Sequence, residues 1–250
     1  MKFPFAQLAS PKNSYQMAGH LIPWFGLLTL ALMSYGVVGG LWWAPSDYQQ
    51  GDAFRMIYIH VPAAFLSLSI YTIIFCCSVI YLIWQIKLAD IVAEMSAAVG
   101  ATYTFIALVS GALWGKPMWG TWWIWDARLT SELILLFLYF GYMGLRSAIH
   151  EPKRAGKAAA VLAIVGMVDI PIVHFSVEWW ATLHQGATLA KLAKPSIAVE
   201  MLYPLLAMIG GFTFFYGTLL CIRLRTGLLQ REWQSLWVRE WFNQQSKSCL

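Results

Sequence analysis

Charge is what this chain has least of. Asp, Glu, Lys and Arg make up 12% of its 250 residues, about half of the roughly 25% usual in a soluble domain. A water-soluble globular protein is therefore excluded. Chemistry-bearing loops are missing too. The chain has no phosphate-cradling loop, no Gly-rich dinucleotide fingerprint and no zinc-protease helix. Any ATP spent on its behalf is hydrolysed by another subunit. No internal repeat is strong enough to point to an inverted-repeat transporter. Cysteine is sparse, with only Cys76, Cys77, Cys221 and Cys249.

Long apolar runs take the place of charge. Leu21–Trp43, Met95–Gly115 and Met201–Ile222 contain no charged residue. Each is long enough to cross a hydrocarbon core of about 30 Å at about 1.5 Å per residue. Met56–Ile86 is longer still and carries His60. Leu129–Leu145 tolerates Glu132 near its start. Ala158–Val177 tolerates Asp169 and His174. The expected fold is all-α, a single membrane domain over residues 1–250 with six transmembrane helices. The first run exceeds the apolar core of a signal peptide and lacks a small-residue cleavage site, so it is kept as a span.

Basic residues orient this bundle. Twelve Lys and Arg fall on one side (Lys2, Lys12, Lys87, Arg146, Lys153, Arg154, Lys157, Arg223, Arg225, Arg231, Arg239 and Lys247). Five fall on the other: Arg55, Lys116, Arg128, Lys191 and Lys194. The positive-inside rule puts both termini in the cytoplasm. Three loops, 44–55, 115–128 and 178–200, then face outward. None of the cysteines falls in them, so no exported disulfide is expected. The net charge of +5 reflects cytoplasmic anchoring and calls for no nucleic-acid partner. Residues 223–250 form a cytoplasmic tail, in which Leu229, Trp233, Leu236, Trp237 and Trp241 recur at helical spacing. It reads as an amphipathic helix on the inner surface.

The second outward loop, residues 115–128, is the most informative stretch. Trp119, Trp122, Trp123 and Trp125 crowd into seven positions that end on Asp126, with Arg128 two residues on. Interfacial belts scatter their aromatic residues along a bilayer; this concentration suits a large, flat, partly anionic aromatic ligand. His60 lies at the outward end of the second span, and His184 lies in the third outward loop. Taken alone, each reads as an ordinary interfacial or surface histidine. Together, flanking an indole-rich surface, they are what bis-imidazole ligation of haem iron requires. Arg55, Lys116 and Arg128 are the outward cations available to propionates. With no C-x-x-C-H sequence, the chain itself does not hold haem covalently. Asp126 also reads as the N-cap of the following helix, and Glu132 as an i, i+4 partner of Arg128. Asp169 lies about 17 Å into its span at helical rise, where a carboxylate is costly. It has three readings: pairing with a neighbouring helix, supporting a proton path, or holding a kink with Pro171. His20 and His150 read as interface residues.

The segment Trp119–Thr130 resembles the tryptophan-rich WWD domain of haem-handling membrane proteins. With six spans and one histidine in each of two outward loops, the chain is similar to the C-protein family of bacterial cytochrome c maturation (CcmC, haem exporter protein C). The resemblance covers nearly the whole chain. It implies a multi-pass protein of the bacterial inner membrane that binds haem b transiently and delivers it to a periplasmic haem chaperone in cytochrome c-type biogenesis. It implies work beside the ATPase and membrane subunits of an ABC transporter complex and a small single-span membrane subunit. By the same carry-over His60 and His184 are the iron ligands. Trp114, Trp119, Trp122, Trp123, Trp125 and Asp126 form the haem and chaperone platform, and no residue is catalytic. Arg55 and Arg128 are assigned to propionate or chaperone contact from their charge and side alone. Two other classes compete. A quinone-linked redox subunit would hold its haem permanently. A membrane transporter would use Asp169 and the Pro171 break but would leave the tryptophans unexplained.

Overall fold

The computed structural model describes residues 10–180, 182–184 and 197–248. Lys2, Lys191, Lys194, Cys249 and most of the 178–200 loop lie outside the described residues. The described chain is all-α, with one isolated bridge between Asp47 and Gly51. The helices are α1 (Pro11–Val38), α2 (Ile57–Trp84), α3 (Lys87–Trp119), α4 (Ala127–Ala148), α5 (Pro152–Gly166), α6 (Asp169–Trp179), α7 (Val199–Arg231) and α8 (Leu236–Ser248). Six segments are long and apolar enough to cross a membrane, with α5 and α6 together making the fifth. An even number of alternating spans returns both ends of the bundle to the same side.

Several helices outrun the hydrocarbon. The 33 residues of α3 and of α7 correspond to about 50 Å, against about 30 Å of core. One overhang of α3 carries Trp114 and Trp119. The other carries Asp90 and Glu94 at the basic end. There α7 continues past Ile222 because its arginines find partners: Arg231 bonds Asp90 and Glu94, and Arg223 donates to the Met95 carbonyl at 2.9 Å. Helix α7 stops at Arg231. A turn over 232–235, closed by Ser235 N–H on the Glu232 carbonyl (2.8 Å), separates it from α8. The helical pattern read over 229–241 is therefore interrupted, and Trp233 is exposed on the corner.

Helices α2 and α3 form the centre of the packing, with α4, α5 and α7 against them. The interior contains Tyr71 against Tyr139, edge to face at 5.2 Å, and Tyr139 donates to the Ser67 carbonyl at 2.7 Å. Helix α1 stands at the periphery, packed chiefly on α7. Gly36 permits that approach, because a Cβ there would lie 2.6 Å from Met208. The fifth span breaks between Gly166 and Asp169, as Pro171 requires: it has no N–H, and its ring crowds the carbonyl four residues back. Ile170 N–H bonds the Met167 carbonyl at 3.2 Å in a tighter turn. Asp169, 8% exposed, opens α6, where a carboxylate favours the helix dipole. Of the three readings, the break is observed at this residue. The ion pair expected between Glu132 and Arg128 does not form. The Ser67 hydroxyl donates to Glu132 Oε1 at 2.7 Å instead, and Arg128 Nη1 donates to the Val173 carbonyl at 3.3 Å.

Candidate functional site

The end of the bundle opposite the basic one is assembled from the start of α2, the end of α3, the loop 120–126 and residues 182–184. Helix α3 ends at Gly120, whose φ of +76° is a left-handed turn that glycine adopts without strain. Lys116 Nζ donates to the Gly120 carbonyl at 2.9 Å and closes the same turn. The chain then runs extended to Asp126. There one carboxylate oxygen accepts the Leu129 N–H at 2.8 Å, giving the expected N-cap of α4.

His60 points from the first turn of α2 onto α3. Its Nδ1 lies 3.1 Å from both the Ala107 carbonyl and the Ser110 hydroxyl. A backbone carbonyl only accepts, so the proton sits on Nδ1 and the lone pair on Nε2. Gly111 lies beneath the ring, and a Cβ there would come within 3.1 Å of Cε1. Trp114 meets His60 edge to face at 5.7 Å and is itself pinned by Nε1–H to Gln50 Oε1 at 3.0 Å. The Asp47 carboxylate holds Gln50 by accepting its backbone N–H at 2.8 Å.

His184 repeats the arrangement from another part of the chain. It meets Trp119 at 5.0 Å, and its Nδ1 faces the second oxygen of Asp126 at 3.5 Å. That separation is longer than a hydrogen bond, and both atoms are buried without another partner. His60 lies within electrostatic range of both His184 and Arg128. Burial lowers the pKa of His184 from its ordinary value, and the Arg128 charge pushes it further down, against the opposing pull of Asp126. The imidazole is thus held neutral, the form that binds a metal.

The sign of the pH dependence follows. Affinity that needs neutral His184 is present above its pKa and is lost as pH falls through the lowered value. In haem titrations the half-loss point is therefore expected below about 6.5, the free imidazole value. Asp126→Asn keeps a competent N-cap but removes the charge that raises the pKa. Its half-loss point, relative to its own high-pH plateau, is expected lower still. A midpoint above the free value would contradict the assignment.

The structure divides the tryptophans. Trp114 and Trp119 lie with the two histidines and Asp126. Trp122 is exposed, with Lys116 Nζ 5.8 Å from its ring centre. Trp123 and Trp125, edge to face at 5.4 Å, roof an apolar groove of about 430 Å³ between α3 and α4. Phe105, Val109 and Ala112 line that groove. By helical geometry they lie on the flank of α3 opposite Ala107 and Ser110. Arg128 stands beside His184. Arg55 is committed to the 40–55 segment, donating to the Gly40 carbonyl, the Ala44 carbonyl (3.2 Å) and Asp52 (3.2 Å). His174 is exposed. Sequence reasoning missed Ala107, Ser110 and Gln50, which orient the site from positions with no local signal.

The arrangement fits a porphyrin. Two imidazoles, each beside an indole, lie at this end of the bundle with Arg128. Comparisons with known proteins give the family. Residues 4–239 match the family model described as "CcmC: Heme exporter protein C". The chain is 50% identical over 231 residues to "Heme exporter protein C" of Haemophilus influenzae, covering 92% of this chain and 94% of that protein. The protein of the same name from Escherichia coli is 47% identical over 234 residues, 94% of each chain. A "putative cytochrome c biosynthesis ccmC-like mitochondrial protein" of Marchantia polymorpha is 40% identical over 198 residues, 79% of this chain and 84% of its own.

Proposed function

The chain belongs to the heme exporter protein C family, and from that premise we propose that it presents haem at the outer face of a bacterial inner membrane for cytochrome c biogenesis. Haem is its cargo, bound transiently and passed to a periplasmic haem chaperone. His60 and His184 donate their Nε2 lone pairs to the iron. Trp114 and Trp119 cover the porphyrin edges. Arg128 faces the propionates. Trp122, beside Lys116, lies exposed where a chaperone docks, and Trp123 and Trp125 seat the loop at the membrane surface. Arg55 braces the 40–55 segment and adds to the chaperone contact. The remaining partners are the ATPase and membrane subunits of an ABC transporter and a small single-span subunit. Both termini are cytoplasmic.

One observation carries this reading. Two histidines far apart in the chain converge at one end of the bundle, each beside an indole and each with Nδ1 turned to a protein acceptor. That disposition leaves Nε2 for iron and suits release, since His184 lies outside any helix and can withdraw without unwinding one. The test is the absorption spectrum of the purified protein, oxidised and then dithionite-reduced. A low-spin bis-histidine spectrum is expected; protein that takes up no haem on titration would overturn the proposal.

The groups behind a ligand tune it, and removing one typically costs about 10–100-fold in affinity. Ser110→Ala removes one of the two oxygens facing His60 Nδ1 and leaves the Ala107 carbonyl. Haem dissociation is therefore expected to rise by about tenfold, the low end of that range. Unchanged affinity in a haem titration would show that Ser110 plays no part in orienting the ligand.

A further inference from the structure

A second concavity lies at the opposite, basic end of the bundle. It has a volume of about 620 Å³ and is bounded by the first turns of α1, the last turns of α7 and the start of α8. Lys12, Tyr15, His20, Arg225, Trp237 and Trp241 line it, with Glu240 at its edge. We propose that this cavity binds the phosphate of an acidic phospholipid from the adjacent leaflet.

Arg225 is the centre of the argument. Its guanidinium carbon lies 4.4 Å over the Tyr15 ring, and its Nη2 donates to the Tyr15 hydroxyl at 2.9 Å. These contacts hold the side chain in place. Its Nε is buried and has no protein partner. Its neighbours differ: Arg146 and Arg231 share Asp90 and Glu94, and Arg223 has a backbone carbonyl. Among the described residues no carboxylate pairs with Arg225. The guanidinium lines the cavity without a counter-ion, and an anion there supplies one.

The surroundings select a lipid as the source of that anion. Arg225 stands three residues beyond Ile222, where the apolar run of α7 ends and headgroup phosphates begin. Trp237 and Trp241 from α8 meet Tyr15 at 5.6 and 5.8 Å. Indoles with one apolar side favour this depth of a bilayer, and they give acyl chains an apolar wall that inorganic phosphate does not need. Lys12 adds a second cation and Glu240 subtracts one charge, so the formal charge of the lining stays positive. His20 Nδ1 lies 2.8 Å from the Gln16 carbonyl, which holds the ring at the cavity wall. Basic pockets between helices at this surface are suited to anionic headgroups.

The experiment is native mass spectrometry of the full chain, delipidated in detergent and titrated with phosphatidylglycerol or phosphatidylcholine of identical acyl chains. Phosphatidylglycerol is expected to bind at least about fivefold more tightly, the effect of one basic residue near an anionic headgroup. Arg225→Gln and Lys12→Gln each weaken it by about that factor, and Glu240→Gln strengthens it. Arg225 is half-buried, so its loss also disturbs the α1–α7 packing. Lys12 and Glu240 are exposed, and their opposite shifts carry the test without that complication. Millimolar inorganic phosphate is expected to leave the lipid bound. Equal binding of the two lipids, or affinities indifferent to Lys12 and Glu240, would overturn the proposal. Displacement by inorganic phosphate would overturn the lipid as the source of the anion.

Discussion

Purified His60→Ala and His184→Ala proteins are expected to retain less than about a tenth of the wild-type haem. Even a group behind the ligand typically costs about 10–100-fold, and each of these changes removes a ligand outright. What haem remains has one imidazole, so its spectrum changes from low-spin to high-spin character. The fold is expected to survive. His60 is partly buried and bonded through Nδ1 to Ala107 and Ser110 of α3, a contact whose loss costs about 1 kcal/mol. His184 belongs to no helix. Yields and thermal unfolding should therefore stay near wild type while haem is lost. The experiment also separates the competing classes. A quinone-linked redox subunit would keep its haem through purification and dilution, whereas a presenter releases it to an acceptor. A transporter that uses Asp169 would bind no haem in wild type or variant. Full haem occupancy in the double mutant would sink the ligand assignment.

The largest expected loss of stability lies at the other end of the molecule. Asp90 and Glu94, four residues apart on α3, face Arg146 of α4 and Arg231 of α7. Arg146 bonds both carboxylates, reaching Glu94 at 2.6 Å, and Arg231 bonds the same two, reaching Asp90 at 2.9 Å. The Arg146 and Asp90 side chains are only 6% and 4% exposed. Arg146→Ala leaves the buried Asp90 and the partly exposed Glu94 against one partly exposed cation. Breaking a buried pair from one side typically costs about 3–5 kcal/mol, and that destabilisation is expected in a denaturing-detergent titration of the solubilised protein. Removing both partners is a different experiment. Replacing a buried pair by apolar groups of similar volume is often close to neutral, so Asp90→Leu with Arg146→Met should recover much of the loss. The haem spectrum of whatever remains folded should be unchanged, because the tetrad lies at the far end of α3 from His60. A single variant as stable as wild type would reduce the tetrad to surface decoration.

The sequence by itself determined the class of this protein, its family and the positions of its six spans. Those properties are local: twenty consecutive apolar residues announce a span, and four indoles beside Asp126 and Arg128 announce the family. Even the N-cap role of Asp126 was legible, since it depends on the few residues that follow. Only the tertiary structure decided which side of each helix faces which neighbour. Helical periodicity gives the faces of α3 but not their rotation in the bundle. Nothing local therefore says that Ala107 and Ser110 meet His60 while Phe105 and Val109 line a groove under Trp123 and Trp125. The indoles read as one surface in sequence because they are adjacent, and they part in space because the chain turns at Gly120 and runs extended to Asp126. Glu132 had a plausible partner one helical turn away, yet burial against α2 put Ser67 closer. The tetrad joins residues separated by 52 to 141 positions. Its only local trace is a pair of like charges, Asp90 and Glu94, on one face of a helix. Two neighbouring carboxylates require cations, but which arginines supply them depends on where α4 and α7 come to lie.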